Sequence, residues 1–256
     1  MIARKIFQFA EPPEGRERES MNRIGIIGAM DEELQTLKKA AVEISTVSRA
    51  GMDFYEGRLG NTEVVIVKSG MGKVNAGICT QILIGDFHVM AVINTGVAGS
   101  LDKALGIGDL VISEDAVQHD FDLSPIGYRR GEIPGPGTVA FPADSRLREL
   151  AVAAVRKTAP EAKAVEGRIC SGDQFISSAW QKEAITSLYG GECCEMEGGA
   201  VAQVCFLNRV PFVIIRAISD SADEDSGVSF ETFLGTAAKR CAAVVQEMVI
   251  SLAAQA

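Results

Sequence analysis

From residue 23 onward, short runs rich in Val and Ile alternate with stretches whose apolar residues recur every three to four positions. The first pattern marks strands of a sheet, and the second marks helices with one apolar face. Strands are predicted over residues 23–28, 54–59, 62–69, 91–95, 109–113, 164–170, 193–196 and 212–219. Helices are predicted over 31–39, 73–87, 144–157, 178–189, 197–208 and 229–253. Such alternation predicts an α/β fold of three layers, α/β/α, around a central mixed, mainly parallel twisted sheet. Ser178 and Gln181 form a capping-box pattern that marks the start of the fourth helix. No period of 20–50 residues recurs and no linker rich in Pro, Gly or Ser divides residues 21–256, so a single domain is expected there. Residues 1–20, charged around Pro12 and Pro13 and without lasting periodicity, read as a mobile leader.

Composition narrows the range of partners. At 256 residues and 47% apolar content, the chain is long enough to bury roughly three quarters of its unfolded surface. A net charge of −9 repels phosphate backbones and anionic lipid, so neither nucleic acid nor a membrane surface is an expected partner. No apolar run approaches the length of a membrane span. The six cysteines form no C-x-x-C pair and lie mostly in apolar stretches, so they read as reduced core thiols of a cytoplasmic protein, with neither a zinc site nor a disulfide framework.

In open α/β sheets ligands bind beyond the carboxyl ends of the strands, so the residues that follow each run are where chemistry is expected. Asp31, Glu32 and Glu33 follow the first run and open a helix, where carboxylates also favour the positive end of the dipole. Gly70-Met71-Gly72-Lys73 departs from a phosphate loop at Val67 and Val74, which excludes triphosphate binding, and Gly25 and Gly28 do not complete a dinucleotide fingerprint. Gly96 to Gly99 fits a tight turn as well as a ligand cradle. Glu195 and Glu197 flank Met196 at a strand end, and only one is expected to face a given pocket. Arg216 is the one charge in an otherwise apolar run and is costly to bury unless paired; Asp220 stands at the mouth of that run, where it could serve as acid, ion-pair partner or helix cap. The loop over 119–137 holds five Gly or Pro residues in its last seven positions and is longer than a connection requires, which fits a loop lining a site or an interface.

Six segments occur in order: I-G-I-I-G-A-M-D-E-E (24–33), K-S-G-M-G-K-V-N-A (68–76), N-T-G-V-A-G (94–99), S-G-D-Q-F-I (171–176), E-M-E-G (195–198) and R-A-I-S-D (216–220). Together they make a chain that resembles the 5'-methylthioadenosine/S-adenosylhomocysteine nucleosidases of the nucleoside phosphorylase superfamily, over about residues 22–253. The resemblance implies a nucleoside phosphorylase-like fold and hydrolysis of the N-glycosidic bond of an adenosine thioether. It assigns Asp220, helped by Ser219, as the acid that protonates purine N7, a role that requires a proton to be held or relayed there. Glu33 becomes the base that activates water. Glu197 holds the ribose hydroxyls with Met196 against the sugar, and Arg216 helps place the water and balances the carboxylates. Phe175 and Ile176 meet the purine, and Met30, Ala98, Gly99, Met71 and Phe230 complete the pocket. No metal or organic cofactor is called for.

The resemblance also implies a homodimer in which loop 119–137 closes over the partner's alkylthio pocket, with Ile126 and Pro134 at the contact beside Met71. Val97 stands where some relatives have serine, and Ile126 replaces an aromatic, so the 5' substituent stays open. Two rivals share the superfamily: a 6-amino-6-deoxyfutalosine hydrolase, differing in the 5' pocket, and a purine nucleoside phosphorylase. A phosphorylase needs cations near the nucleophile, and Arg49, Ser69 and Lys73 are too few, with Glu33 unfavourable to phosphate. A non-catalytic nucleoside-binding module would not need Glu33, Glu197 and Asp220 together.

Overall fold

The computed structural model of the chain describes residues 23–253; the expected leader over 1–20 lies outside the described residues. Ten strands are described: β1 (Arg23–Gly28), β2 (Val42–Arg49), β3 (Met52–Leu59), β4 (Thr62–Lys68), β5 (Ala91–Ser100), β6 (Leu110–Gln118), β7 (Ala140–Pro142), β8 (Ala164–Ser171), β9 (Cys193–Glu195) and β10 (Phe212–Asp220). The α-helices are α1 (Asp31–Ala40), α2 (Lys73–Gly85), α3 (Ser145–Thr158), α4 (Ala179–Tyr189), α5 (Gly198–Asn208) and α6 (Ser226–Ala253).

The sheet is mixed and layered as the alternation of patterns predicts. Parallel pairs join β4 to β1, β1 to β5 and β5 to β10. A second parallel set joins β6, β8 and β9. Antiparallel pairs β5–β9 and β6–β10 link the two sets, so β5, β10, β6, β8 and β9 close into a ring, and β1, β4, β3 and β2 extend from it as an open wing. The apolar faces of α1, α3 and α6 cover one side, with Leu34, Leu37, Leu147, Leu150, Val245 and Met248 packed on Ile24, Ile26, Val213 and Ile215. On the other side Cys79 and Leu83 of α2 and Val201 and Cys205 of α5 pack on Ile27, Val65, Val67, Val92 and Ile214. All six cysteines are free and buried.

Departures from the predicted elements have local causes. β2 escapes detection because nearly every residue of it is exposed, so neither face carries an apolar signal. β7, three residues long, is too short to show a period. β6 continues past Ser113 through a register shift at Ser113/Asp115, where Glu114 and Asp115 interrupt the apolar run. The Ser178 capping box does not form: the Ser178 hydroxyl donates to Gln181 Oε1 at 2.7 Å, and the Ala179 N–H donates instead to Glu224 Oε1 at 3.0 Å.

Candidate active site

A cleft with about 580 Å³ of space, part of it open to solvent, lies at the carboxyl ends of β1, β5, β9 and β10. Of the residues singled out from the sequence, Met30, Glu33, Met71, Ala98, Gly99, Phe175, Ile176, Met196, Glu197, Ser219, Asp220 and Phe230 line it. Ala29, Val97, Gln174, Cys194 and Glu195 join them. Among the described residues no Lys, Arg or His is on this wall. Arg216 lies behind it, and Ile126 and Pro134 are exposed on the loop, away from the cleft of their own chain.

The three acids of the α1 start separate by direction. Asp31 and Glu32 face solvent, whereas Glu33 turns inward and is only 3% exposed. Its Oε2 accepts the backbone N–H of Ala29 at 2.7 Å and of Met30 at 3.1 Å, and Oε1 accepts that of Val97 at 3.1 Å. Burial raises its pKa, while the Arg216 charge and the three N–H donors pull the other way. A dipole-favouring surface acid needs none of this, so the sequence pattern at 31–33 serves two different purposes.

The segment Gly96 to Gly99 is not a turn: β5 runs through it to Ser100 and brings Val97, Ala98 and Gly99 to the cleft wall. Its glycines are there because carboxylates rest on the strand. A Cβ at Gly96 would stand 2.6 Å from Glu33 Oε1, and one at Gly99 would stand 2.7 Å from Asp220 Oδ1. Asp220 ends β10, accepts the Ser219 hydroxyl at 2.9 Å on Oδ2 and the Ala222 N–H at 2.9 Å on Oδ1, and is 3% exposed.

Glu195 and Glu197 both line the cleft, which corrects the expectation that only one would. Residues two apart on a strand share a face, so alternation never separated them. β9 moreover ends at Glu195, and Glu197 serves as the N-terminal flank of α5. Arg216 is 1% exposed and pairs with Glu195, not with Asp220; Ser171 donates to the other oxygen of Glu195, and Asn94 Oδ1 accepts from Arg216 Nη2 at 2.6 Å. Although burial opposes charge on Arg216, Glu195, Glu197 and Glu33 raise its pKa and keep it cationic. Glu197 accepts the Gly72 N–H on Oε1 at 2.8 Å, and burial with the neighbouring Glu195 pushes its pKa up to about 8.

Glu195, Ser171 and Asn94 thus form the polar floor that sequence reasoning did not assign. The available signal was Arg216: a cation in an apolar strand demands a buried anion, and Glu195 was the acid nearest in pattern. Phe175 and Phe230 meet edge to face, with ring centroids 5.7 Å apart, on the outer wall.

This geometry coincides with a sequence likeness. The chain matches the phosphorylase superfamily over residues 23–250. It is 45% identical over 227 residues to the 5'-methylthioadenosine/S-adenosylhomocysteine nucleosidase of Staphylococcus saprophyticus, covering 88% of this chain and 98% of that protein. Identity to the nucleosidase of Psychromonas ingrahamii is 42% over 231 residues, 90% of this chain and 99% of the other. Among solved structures, the Neisseria meningitidis nucleosidase in complex with methylthio-immucillin-A superposes with a TM-score of 0.87 at 40% identity, covering 90% of this chain and 99% of that one. The futalosine hydrolase of Helicobacter pylori superposes with a TM-score of 0.86 at 37% identity, covering 90% and 98%.

Proposed function

The chain belongs to the 5'-methylthioadenosine/S-adenosylhomocysteine nucleosidase family of the phosphorylase superfamily, and we propose that it hydrolyses the N-glycosidic bond of these two adenosine thioethers, releasing adenine and the 5'-thioribose. The observation that carries this reading is three buried carboxylates, Glu33, Glu197 and Asp220, on one cleft whose wall holds no cation. A phosphate nucleophile would find no cation on that wall to neutralise it, whereas water needs a base, which a buried carboxylate supplies.

In this reading Asp220, steadied by Ser219, gives its proton to purine N7 as the C1'–N9 bond breaks. Glu33 takes a proton from the water whose oxygen bonds to C1'; burial raises its pKa, while Arg216 and three backbone N–H donors pull the other way. Glu197 holds the ribose hydroxyls, with Met196 against the sugar. Phe175 and Phe230 pack on the purine, and Ile176 offers it backbone hydrogen bonds. Arg216 acts from behind, balancing the carboxylates through Glu195. The proton transfers and the electrostatics are supplied by side chains, so no metal or organic cofactor takes part.

We further propose a homodimer in which Ile126 and Pro134 of loop 119–137 complete the partner's 5' pocket; their exposure and the 62% exposure of Met71 at the mouth support it. Residues 21–256 then act as one catalytic domain, and six free buried thiols fit the reducing cytoplasm. Sedimentation at micromolar concentration tests the dimer, which a monomeric mass would overturn.

The direct test offers methylthioadenosine, adenosylhomocysteine, 6-amino-6-deoxyfutalosine and inosine in phosphate-free buffer and identifies the freed base and sugar. Adenine and free thioribose are expected; a sugar 1-phosphate formed only when phosphate is added would overturn hydrolysis. The likeness to the Helicobacter pylori futalosine hydrolase keeps the deoxyfutalosine arm in the assay.

A further inference from the structure

Three segments that the reaction needs together meet at a polar cluster beside the cleft, and none of the proposed catalytic roles uses it. Lys73, the first residue of α2, donates from Nζ to Asp120 Oδ1 at 2.5 Å and to Gln118 Oε1 at 3.2 Å. Its backbone N–H donates to Asp173 Oδ1 at 2.7 Å, and the Asp173 N–H donates to Asp120 Oδ2 at 2.9 Å. The three residues therefore close a cycle, and both members of the ion pair are more than four-fifths buried, with side-chain exposures of 16% and 19%. Surface ion pairs contribute little, but a largely buried pair inside a hydrogen-bonded cycle holds its backbone in one place.

Each corner of the cycle leads to the site. Asp173 opens the segment that carries Gln174, Phe175 and Ile176 to the cleft. Asp120 stands at the root of loop 119–137. Lys73 follows Gly72, whose N–H is the donor to Glu197 Oε1. Gly72 holds φ at +95°, a value glycine tolerates, and a Cβ there would stand 3.1 Å from Asp173 Oδ1. The G-M-G-K turn, which failed as a phosphate loop, thus aims two successive amides at two carboxylates, Gly72 at Glu197 and Lys73 at Asp173.

We infer that Lys73 and Asp120 are positioning residues, a clasp that holds the Gly72 N–H on Glu197 and so fixes the orientation of that carboxylate toward the ribose. What Glu197 binds rests on the nucleosidase reading; that the clasp orients it does not. The groups facing Glu197 are Glu195 from β9, Arg216 from β10 and Glu33 from α1. His119, beside Asp120 and Lys73, is pushed toward its neutral form by burial. Burial and Glu195 favour the protonated acid, and Arg216 and the Gly72 amide favour the anion. Opening the clasp removes the amide and moves the ionisation of Glu197 to higher pH.

The test uses Lys73→Met, Asp120→Asn, their double variant and Lys73→Arg, with folding followed by circular dichroism. Two readouts are taken: kcat and KM on methylthioadenosine, and infrared titration of the Glu197 carboxyl with Glu197→Gln as the blank. Each single variant is expected to raise KM about ten-fold, the weight of one hydrogen bond to a charged group, with a smaller change in kcat. The double variant should be no worse than either single, and Lys73→Arg should recover most of the loss. In both singles Glu197 should ionise at higher pH than in the parent. Unchanged KM and titration in a folded variant would overturn the clasp, as would additive losses in the double. Loss of native circular dichroism in both singles would overturn it too, because the pair would then serve folding. If the parent releases no adenine, the nucleosidase reading fails while the titration still decides the clasp.

Discussion

The floor and the mouth of the cleft are built on opposite principles. At the floor Glu33, Glu195, Glu197, Asp220 and Arg216 are each under 9% exposed and held by backbone amides or by each other. At the mouth Met71 and Phe175 are 62% and 46% exposed, and Ile126 on the neighbouring loop is 65% exposed. Rigid, desolvated groups suit charge that must be stabilised without reorganisation; loose apolar surface suits a substituent that varies. In the proposed reading the chemistry belongs to the floor and the choice of 5' group to the mouth.

The comparison breaks most sharply at Asp220. Asp220→Asn should keep the native circular dichroism yet lower adenine release by about 10²- to 10⁴-fold, since it removes the acid and little volume. Near-normal turnover would dismiss the assignment. Gly96→Ala probes the floor without touching an acid: its methyl would displace Glu33 Oε1 from the Val97 amide, and kcat should fall about 10²-fold. A crystal structure of that variant with Glu33 unmoved would contradict the account. At the mouth, Phe175→Ala should raise KM about ten-fold with kcat nearly kept. Ile126→Ala should change the ratio of adenosylhomocysteine to methylthioadenosine turnover by only a few-fold, measured by competition, and leave adenine contacts alone.

A pH measurement sharpens the floor further. Glu197 is raised from 4.5 to about 8, first by burial and then by Glu195. The folded chain therefore binds this proton more tightly than the unfolded one. Its contribution to stability is full below 4.5 and is lost as pH rises toward about 8. Denaturant titrations between those limits should show a falling slope that Glu197→Gln flattens; an unchanged slope would count against a buried, protonated Glu197.

The same division explains how much the sequence could tell. The layers were legible because β1, β4, β5 and β10 carry continuous apolar runs, and most of the cleft wall was legible because it lies just beyond them. The exposed strand β2 and the three-residue β7 carry no apolar contrast and were not. At Gly96 and Gly99 the sequence left a turn and a ligand cradle open; the backbone is extended and meets the cleft, and the small residue answers to a carboxylate from elsewhere in the chain. The floor residues Glu195, Ser171 and Asn94 were missed for a related reason: their purpose depends on Arg216, and no local pattern records a partner 21 to 122 residues away.

The ring of β5, β10, β6, β8 and β9 also governs when the enzyme comes into being. Its closure joins residues near 92 to residues near 212, a separation that makes folding slow and places it late in synthesis. Glu33 is made well before Asp220, so in the proposed mechanism the base and the acid meet only after β10 has slotted between β5 and β6. On that mechanism a chain interrupted before β10 would hold Glu33 and Glu197 without Asp220, and activity would report that β10 has found its place.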